Sequence, residues 1–238
     1  MASGSDLTGL TDADLSLERP NSTLAEVAAD KLRELILLEK LVPGAHISER
    51  EVSTALGISR TPLRAALAIL EQEGLVNYSV TRRPSVADPS LDEITANLQV
   101  LSALEGLAGE LTCAAATEVE IGRIVALADH LEEGAYSLDP LDYFRVDMEM
   151  HESIARASGN RALATTHRQY NARLWRARYR SSRRAGARPR TTAEHRAIAE
   201  ALEARDGARA ALALRTHLAT VIANIRVEMA PDTSDTGD

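Results

Sequence analysis

Asp147, His151, His195 and His217 are the residues of this chain whose types and spacing could do chemistry together. One carboxylate and three imidazoles make a donor set for a divalent transition metal, with positions left over for water or a second ligand. Asp147 and His151 stand four apart, so on a helix they are neighbours on one face, and Phe144 and Ile154 mark that face as apolar. His195 falls in line with Ile198 and Leu202, and His217 with Leu214 and Val221, so each of these also points inward. Burying four such groups together is costly unless something satisfies them. Two readings of the residues stand side by side: ordinary core side chains bonded to nearby carbonyls, or ligands of one metal ion. His46, His130 and His167 lack comparable company and read as surface or local structure.

Helices must position this set. The aromatic fraction is only 3% while Ala, Leu and Arg abound, a composition that favours helices packed through aliphatic stripes over a sheet-rich fold. From 91 to 229 the periodicity is helical throughout, predicting helices at 91–116, 118–133, 139–158, 160–181, 191–205 and 207–229. Gly134, Ser158-Gly159-Asn160, the Gly186 to Pro189 stretch and Asp206-Gly207 separate them. Six helices with short connections predict an all-α bundle.

The segment before the bundle has another character. Residues 22–40 predict an amphipathic helix capped from Asn21-Ser22-Thr23, and Leu41-Val42-Pro43-Gly44 a turn. Ala45-His46-Ile47 reads as one short strand. Ser48 and the acidic residues after it open a short helix, and Gly57 closes it in the left-handed conformation. Ser59 is expected to cap a second helix with Leu63, Ala66, Leu67 and Leu70 on one face and Arg60, Thr61 and Arg64 on the opposite, N-terminal one. A helix-turn-helix needs that arrangement, since the start of its second helix meets base edges in the major groove. The alternating run 75–80, the turn-like Thr81-Arg82-Arg83-Pro84 and Ser85-Val86-Ala87 predict a small hairpin, a wing. The fold class is therefore mainly α: a winged helix-turn-helix over 21–88 and an all-helical bundle domain over 89–229. A disordered arm (1–20) and an acidic tail (230–238) flank them.

The net charge of −8 argues against a nucleic-acid partner only if charge is spread evenly. Arg50, Arg60, Arg64, Arg82 and Arg83 would all face one side of the reading head, so local charge decides. A single cysteine, Cys113, rules out an internal disulfide, and no apolar run approaches membrane-spanning length. A soluble, cytoplasmic protein with no membrane partner is expected.

Pro43-Gly44 followed by SEREVSTALGISRTPLRAALAILEQEGLV resembles the winged helix-turn-helix of GntR-type transcriptional regulators. LEGLAGELTCAAAT (104–117), DMEMHESIARASGN (147–160), EHRAIAEALEARD (194–206) and ALALRTHL (211–218) resemble the FadR-like branch, whose helical ligand domain is called FCD. The resemblance implies a homodimer on a palindromic double-stranded DNA operator, contacted by Arg50, Ser59, Arg60, Thr61 and Arg64. The wing arginines Arg82 and Arg83 follow, although many relatives carry Gly at the wing tip. It also implies that Asp147, His151, His195 and His217 are ligands of one divalent transition metal per chain, zinc or nickel, and that a small carboxylate effector modulates DNA binding. Many relatives carry Arg four residues before the position of Glu105, where this chain has Leu101. The Arg-rich helix around Arg173 and Arg178 would supply a substitute, with Asn224 as a further effector contact.

The function expected is a ligand-responsive transcriptional regulator, a repressor, and not an enzyme. Two other readings are weighed against it. A direct metal sensor would need no organic ligand, and a metal-dependent hydrolase would use the same site to activate water. No additional general base is evident for the latter, and a DNA-reading head has no role in it.

Overall fold

Most helix starts carry a residue that satisfies orphan backbone N–H groups. In the computed structural model, which describes residues 23–184 and 186–229, Thr23 with Glu26, Ser90 with Glu93 and Thr117 with Glu120 form reciprocal capping boxes. They open α1 (Leu24–Leu37), α4 (Leu91–Ala115) and α5 (Glu118–Glu133). Asp139, Asn160 and Asp206 cap α6 (Pro140–Ala157), α7 (Arg161–Arg183) and α9 (Gly207–Glu228). α8 spans Ala187–Glu203. The arm expected over 1–20 and the tail over 230–238 lie outside the described residues.

The N-terminal segment folds as α1, α2 (Glu49–Leu56), α3 (Arg60–Gln72), β1 (Val76–Tyr78) and β2 (Pro84–Val86). β1 and β2 pair antiparallel, with Val76 opposite Val86 and Tyr78 opposite Pro84. Leu63, Leu67 and Leu70 of α3 are fully buried against Ala29, Leu32 and Ile36 of α1 and against Val76 and Val86 of the wing. Burial of each such side chain contributes about 1.5–3 kcal/mol. The fold is mainly helical, a winged helix-turn-helix followed by a helical bundle.

Several details differ from the expectations. α1 stops at Leu37 because Glu39 turns left-handed (φ 54°) and the chain folds back, Lys40 N–H reaching Leu35 O. The strand expected at 45–47 is reduced to one bridge between His46 and Ser85. Pro84 begins β2 instead of ending the turn, a place where its missing N–H costs no ladder bond. Ser59 occupies the N-cap position of α3, yet its side chain makes no capping bond. α8 begins at Ala187, four residues earlier than expected, and Pro189 sits in its first turn. N–H groups there have no helical partner, so proline is tolerated.

α6 and α7 hold the head. Leu37 of α1 is buried with Phe144 and Met148 of α6 and Tyr179 of α7. Arg33 pairs with Glu73 at 2.7 Å and lies over the Trp175 ring. Arg173 packs across Gly74, just past the end of the recognition helix α3, where a Cβ would stand 2.6 Å from its Cγ.

Gly57 and Gly74 both lie at positive φ (67° and 72°), but only Gly74 is crowded. Gly57→Ala should cost about 1–2 kcal/mol of left-handed strain, and Gly74→Ala more, because Arg173 must also be displaced. Urea unfolding of the two variants checks this; equal losses would contradict the contact.

Candidate metal centre and DNA-reading face

α6, α8 and α9 carry the four residues to one point. Asp147 Oδ1 lies 3.2 Å from His151 Nε2 and 3.1 Å from His195 Nε2. The His217 ring centroid is 5.0 Å from that of His151 and 4.7 Å from that of His195. One donor atom from each residue falls within a sphere of mutual distances no larger than 4.8 Å. All four are buried, from 0 to 5% exposed.

Their bonding is what a metal would need. The Nε2 atoms of His151, His195 and His217 and Oδ1 of Asp147 have no hydrogen-bond partner among the described residues. The close pairs do not meet hydrogen-bond geometry with each other. Four orphaned, buried donors at one focus fit a divalent cation of the nitrogen-binding kind. Of the outer ring atoms, His217 Nδ1 is hydrogen-bonded to Glu194 Oε2 at 3.1 Å, and His151 Nδ1 lies 2.9 Å from Glu105 Oε2 without being aligned for a hydrogen bond.

Glu105 is the centre of a second polar group. It is 2% exposed on α4, and its Oε1 lies 3.2 Å from His167 Nε2 and 3.4 Å from Arg178 Nη1. Arg178 Nη1 also donates to Asn171 Oδ1 at 2.8 Å. On the far side, His167 Nδ1, Asn171 Nδ2 and Arg178 Nη2 are buried without partners among the described residues.

Electrostatics follow from this packing. Burial opposes ionisation of Glu105, but the charge and hydrogen bond of His151, with His167 and Arg178, hold it well below the usual carboxylate range. Asp147 is treated likewise, burial being overcome by His195 and His151. Burial works against a charged His151 as well, but Glu105 raises its pKa. At His217 burial wins over the Glu194 hydrogen bond and lowers the pKa to about 4.

Not every expected residue comes to the centre. Arg178 does, through Glu105. Arg173 does not: it lies over Gly74 and the Tyr170 ring, at the junction with the head. Asn224 accepts a bond from Arg184 at 3.0 Å and is likewise away from the cluster. His167, expected at the surface or in local structure, is 1% exposed and bound to Glu105. Glu105, Asn171 and Glu194 were not foreseen as parts of the centre. A signal existed: Glu105 interrupts the apolar stripe Leu98, Leu101, Ala108, and Asn171 the stripe Leu163, His167, Leu174. Leu101 is fully buried among Leu98, Leu174 and Leu218. The guanidinium beside Glu105 therefore comes from α7 and not from α4.

At the other end Arg50, Ser59, Arg60, Thr61, Arg64, Arg82 and Arg83 are all exposed. Arg64 Nε pairs with Glu49 Oε2 at 2.8 Å. Arg82 takes a left-handed conformation (φ 59°) at the wing tip, the conformation that Gly at a wing tip would adopt without strain. Its N–H closes a turn onto Ser79 O at 2.9 Å.

A winged helix-turn-helix joined to a helical bundle with a buried polar centre is the architecture of a DNA-binding regulator. The family comparisons give the particular class. Residues 24–84 match the bacterial regulatory proteins of the gntR family, and residues 97–220 match the FCD domain. The chain belongs to the GntR family of transcriptional regulators, in the group with an FCD domain. It is 33% identical over 201 residues to an HTH-type transcriptional regulator from an unstable DNA locus of Streptomyces ambofaciens, covering 82% of each chain. It is 31% identical over 222 residues to the HTH-type transcriptional repressor NanR of Klebsiella aerogenes, covering 85% of each. Its fold is similar to that of E. coli McbR/YncC, with a TM-score of 0.75 at 18% identity, covering 87% of this chain and 99% of that one. No helix among the described residues is long and apolar enough to cross a membrane.

A neutral His217 buried with a pKa near 4 stabilises the native state fully above the ordinary histidine pKa. Below it the unfolded chain takes up a proton that the native one refuses, so this stability is lost as pH falls from about 6.5 towards 4. His151 contributes with the opposite sign, so the comparison must be with a variant. Metal-free His217→Gln should lose less stability between pH 7 and pH 5 than the metal-free wild type. Parallel unfolding midpoints across that range would contradict the assignment.

Proposed function

We propose that this protein is a repressor that binds a palindromic operator as a homodimer, and that an acidic metabolite bound at a metal centre in the helical domain modulates that binding. The observation that carries the metal reading is the convergence of four orphaned, buried donor atoms from Asp147, His151, His195 and His217. When bound, zinc or nickel would offer open positions to an oxygen ligand. Arg178, Asn171 and His167 present unpartnered nitrogens beside Glu105, which suits a carboxylate-bearing ligand better than a signal made by the metal alone. The carboxylates nearest the ligands, Glu105 and Glu194, are both engaged by imidazole nitrogens, which weighs against a free general base and so against hydrolysis.

Two helices provide a route from centre to head. α6 carries Asp147 and His151 and, on the same helix, Phe144 and Met148, which pack on Leu37 of α1. α7 carries Asn171 and Arg178 together with Arg173, Trp175 and Tyr179, which touch Gly74, Arg33 and the α1 cluster. A ligand that favours one setting of these helices biases the placement of the recognition helix α3. Dimerisation is supported by exposed apolar side chains on α4, Val100 and Leu107, each more than 40% exposed, and by exposed Leu212 on α9.

DNA reading is assigned to Arg50, Ser59, Arg60, Thr61 and Arg64, with Arg82 and Arg83 of the wing reaching the neighbouring groove. A guanine contact by Arg60 contributes about 1–3 kcal/mol of discrimination. Genomic fragments retained by the purified protein should share a short palindrome that Arg60→Ala fails to select, with its fold and oligomeric state intact; unchanged operator affinity would contradict the assignment. Purified protein should also carry one metal ion per chain and His151→Ala less; equal metal content would contradict the centre.

A further inference from the structure

Glu194 stands apart from the four candidate ligands but is tied to one of them from three directions. It precedes His195 on α8, yet its side chain turns along the seam with α9, 13% exposed. There His217 Nδ1 lies 3.1 Å from Oε2 in good hydrogen-bond geometry. Thr220, three residues beyond His217 on the same helix, donates to Oε1 at 2.6 Å. Arg190, one turn back on α8, donates to Oε1 at 3.1 Å. These contacts keep Oε2 in front of the His217 ring.

We infer that Glu194 is the positioning residue of the metal centre: it holds the proton of His217 on Nδ1 and so fixes Nε2 as a bare lone pair facing the metal. A free neutral imidazole exchanges its proton between both nitrogens, and its ring turns about two side-chain torsions. A carboxylate on Nδ1 selects one tautomer, stops the ring and makes Nε2 a better donor. The other histidines lack this. His195 Nδ1 has no partner among the described residues, and His151 Nδ1, though 2.9 Å from Glu105, is not aligned for a hydrogen bond. α8 therefore contributes twice, His195 as a ligand and its neighbour Glu194 as the clamp on the ligand from α9. The inference rests on the metal reading of the four-residue cluster.

Cobalt(II) serves as probe, its visible spectrum reporting ligand number and type. Full-length, metal-stripped wild type, Glu194→Ala, Glu194→Gln and His217→Ala are titrated with cobalt against a chromophoric chelator, with circular dichroism to follow folding. Loss of such a partner typically costs about 10–100-fold in metal affinity. Glu194→Ala should show that loss with an altered spectrum. Glu194→Gln, whose amide oxygen still accepts the Nδ1 proton, should fall between it and wild type. Should Glu194→Ala fail to fold, Glu194→Gln decides: weaker binding with a changed spectrum supports the role, and wild-type values overturn it. If wild type binds cobalt, His217→Ala loses it and Glu194→Ala keeps wild-type affinity and spectrum, the clamp is wrong and the metal centre stands. If wild type takes up no cobalt, the metal reading falls and the clamp with it.

Discussion

A carboxylate and three imidazoles have been withdrawn from water into the middle of a helical bundle, and the rest of the helical domain is arranged around that cost. Unpaired buried polar groups each cost on the order of 1–3 kcal/mol. The fold spends its remaining carboxylates on the problem: Glu105 and Glu194 face the outer nitrogens of His151 and His217. It leaves the inner atoms bare. Four bare inner donors, with His217 held from outside by Glu194, are the pattern of a site that fits an occupant, and the donor types fit a divalent metal.

The same constraint accounts for the place of the DNA head. Asp147 cannot move without α6, and α6 presents Phe144 and Met148 to α1 within one turn of the ligand. Arg178 cannot move without α7, whose opposite side carries Arg173 over Gly74 at the end of α3. The head is thus seated on two of the helices that build the polar centre. Packed side chains connect the polar centre to the head at α1 and at the end of α3.

Much of this was legible in the sequence because local rules and global packing agree. Gly57, the Ser48 cap and the apolar face of α3 fix the helix-turn-helix. The four ligand candidates are legible because each sits on a helical stripe that marks it as buried. What was not legible needed packing between helices. Arg173 and Arg178 are five residues apart, about 140° around a helix, so one faces the head and the other faces Glu105. Which is which depends on where α4 lies. His167 and Glu105 are each unremarkable alone and become a pair only when α4 and α7 meet. The start of α8 was misplaced because Pro189 reads as a breaker, although the first turn of a helix has no bond for it to break. Ser59 shows the reverse: a good capping residue at the right position that makes no capping bond.

The central claim is that one metal ion occupies the focus of Asp147, His151, His195 and His217, and anomalous diffraction from crystals of the metal-loaded protein tests it most directly. The account predicts, in each chain, a single anomalous peak inside the bundle at bonding distance from Asp147 Oδ1 and the three Nε2 atoms. A peak on surface histidines only, or an inner focus filled by hydrogen bonds among the four residues with no ion, would contradict it.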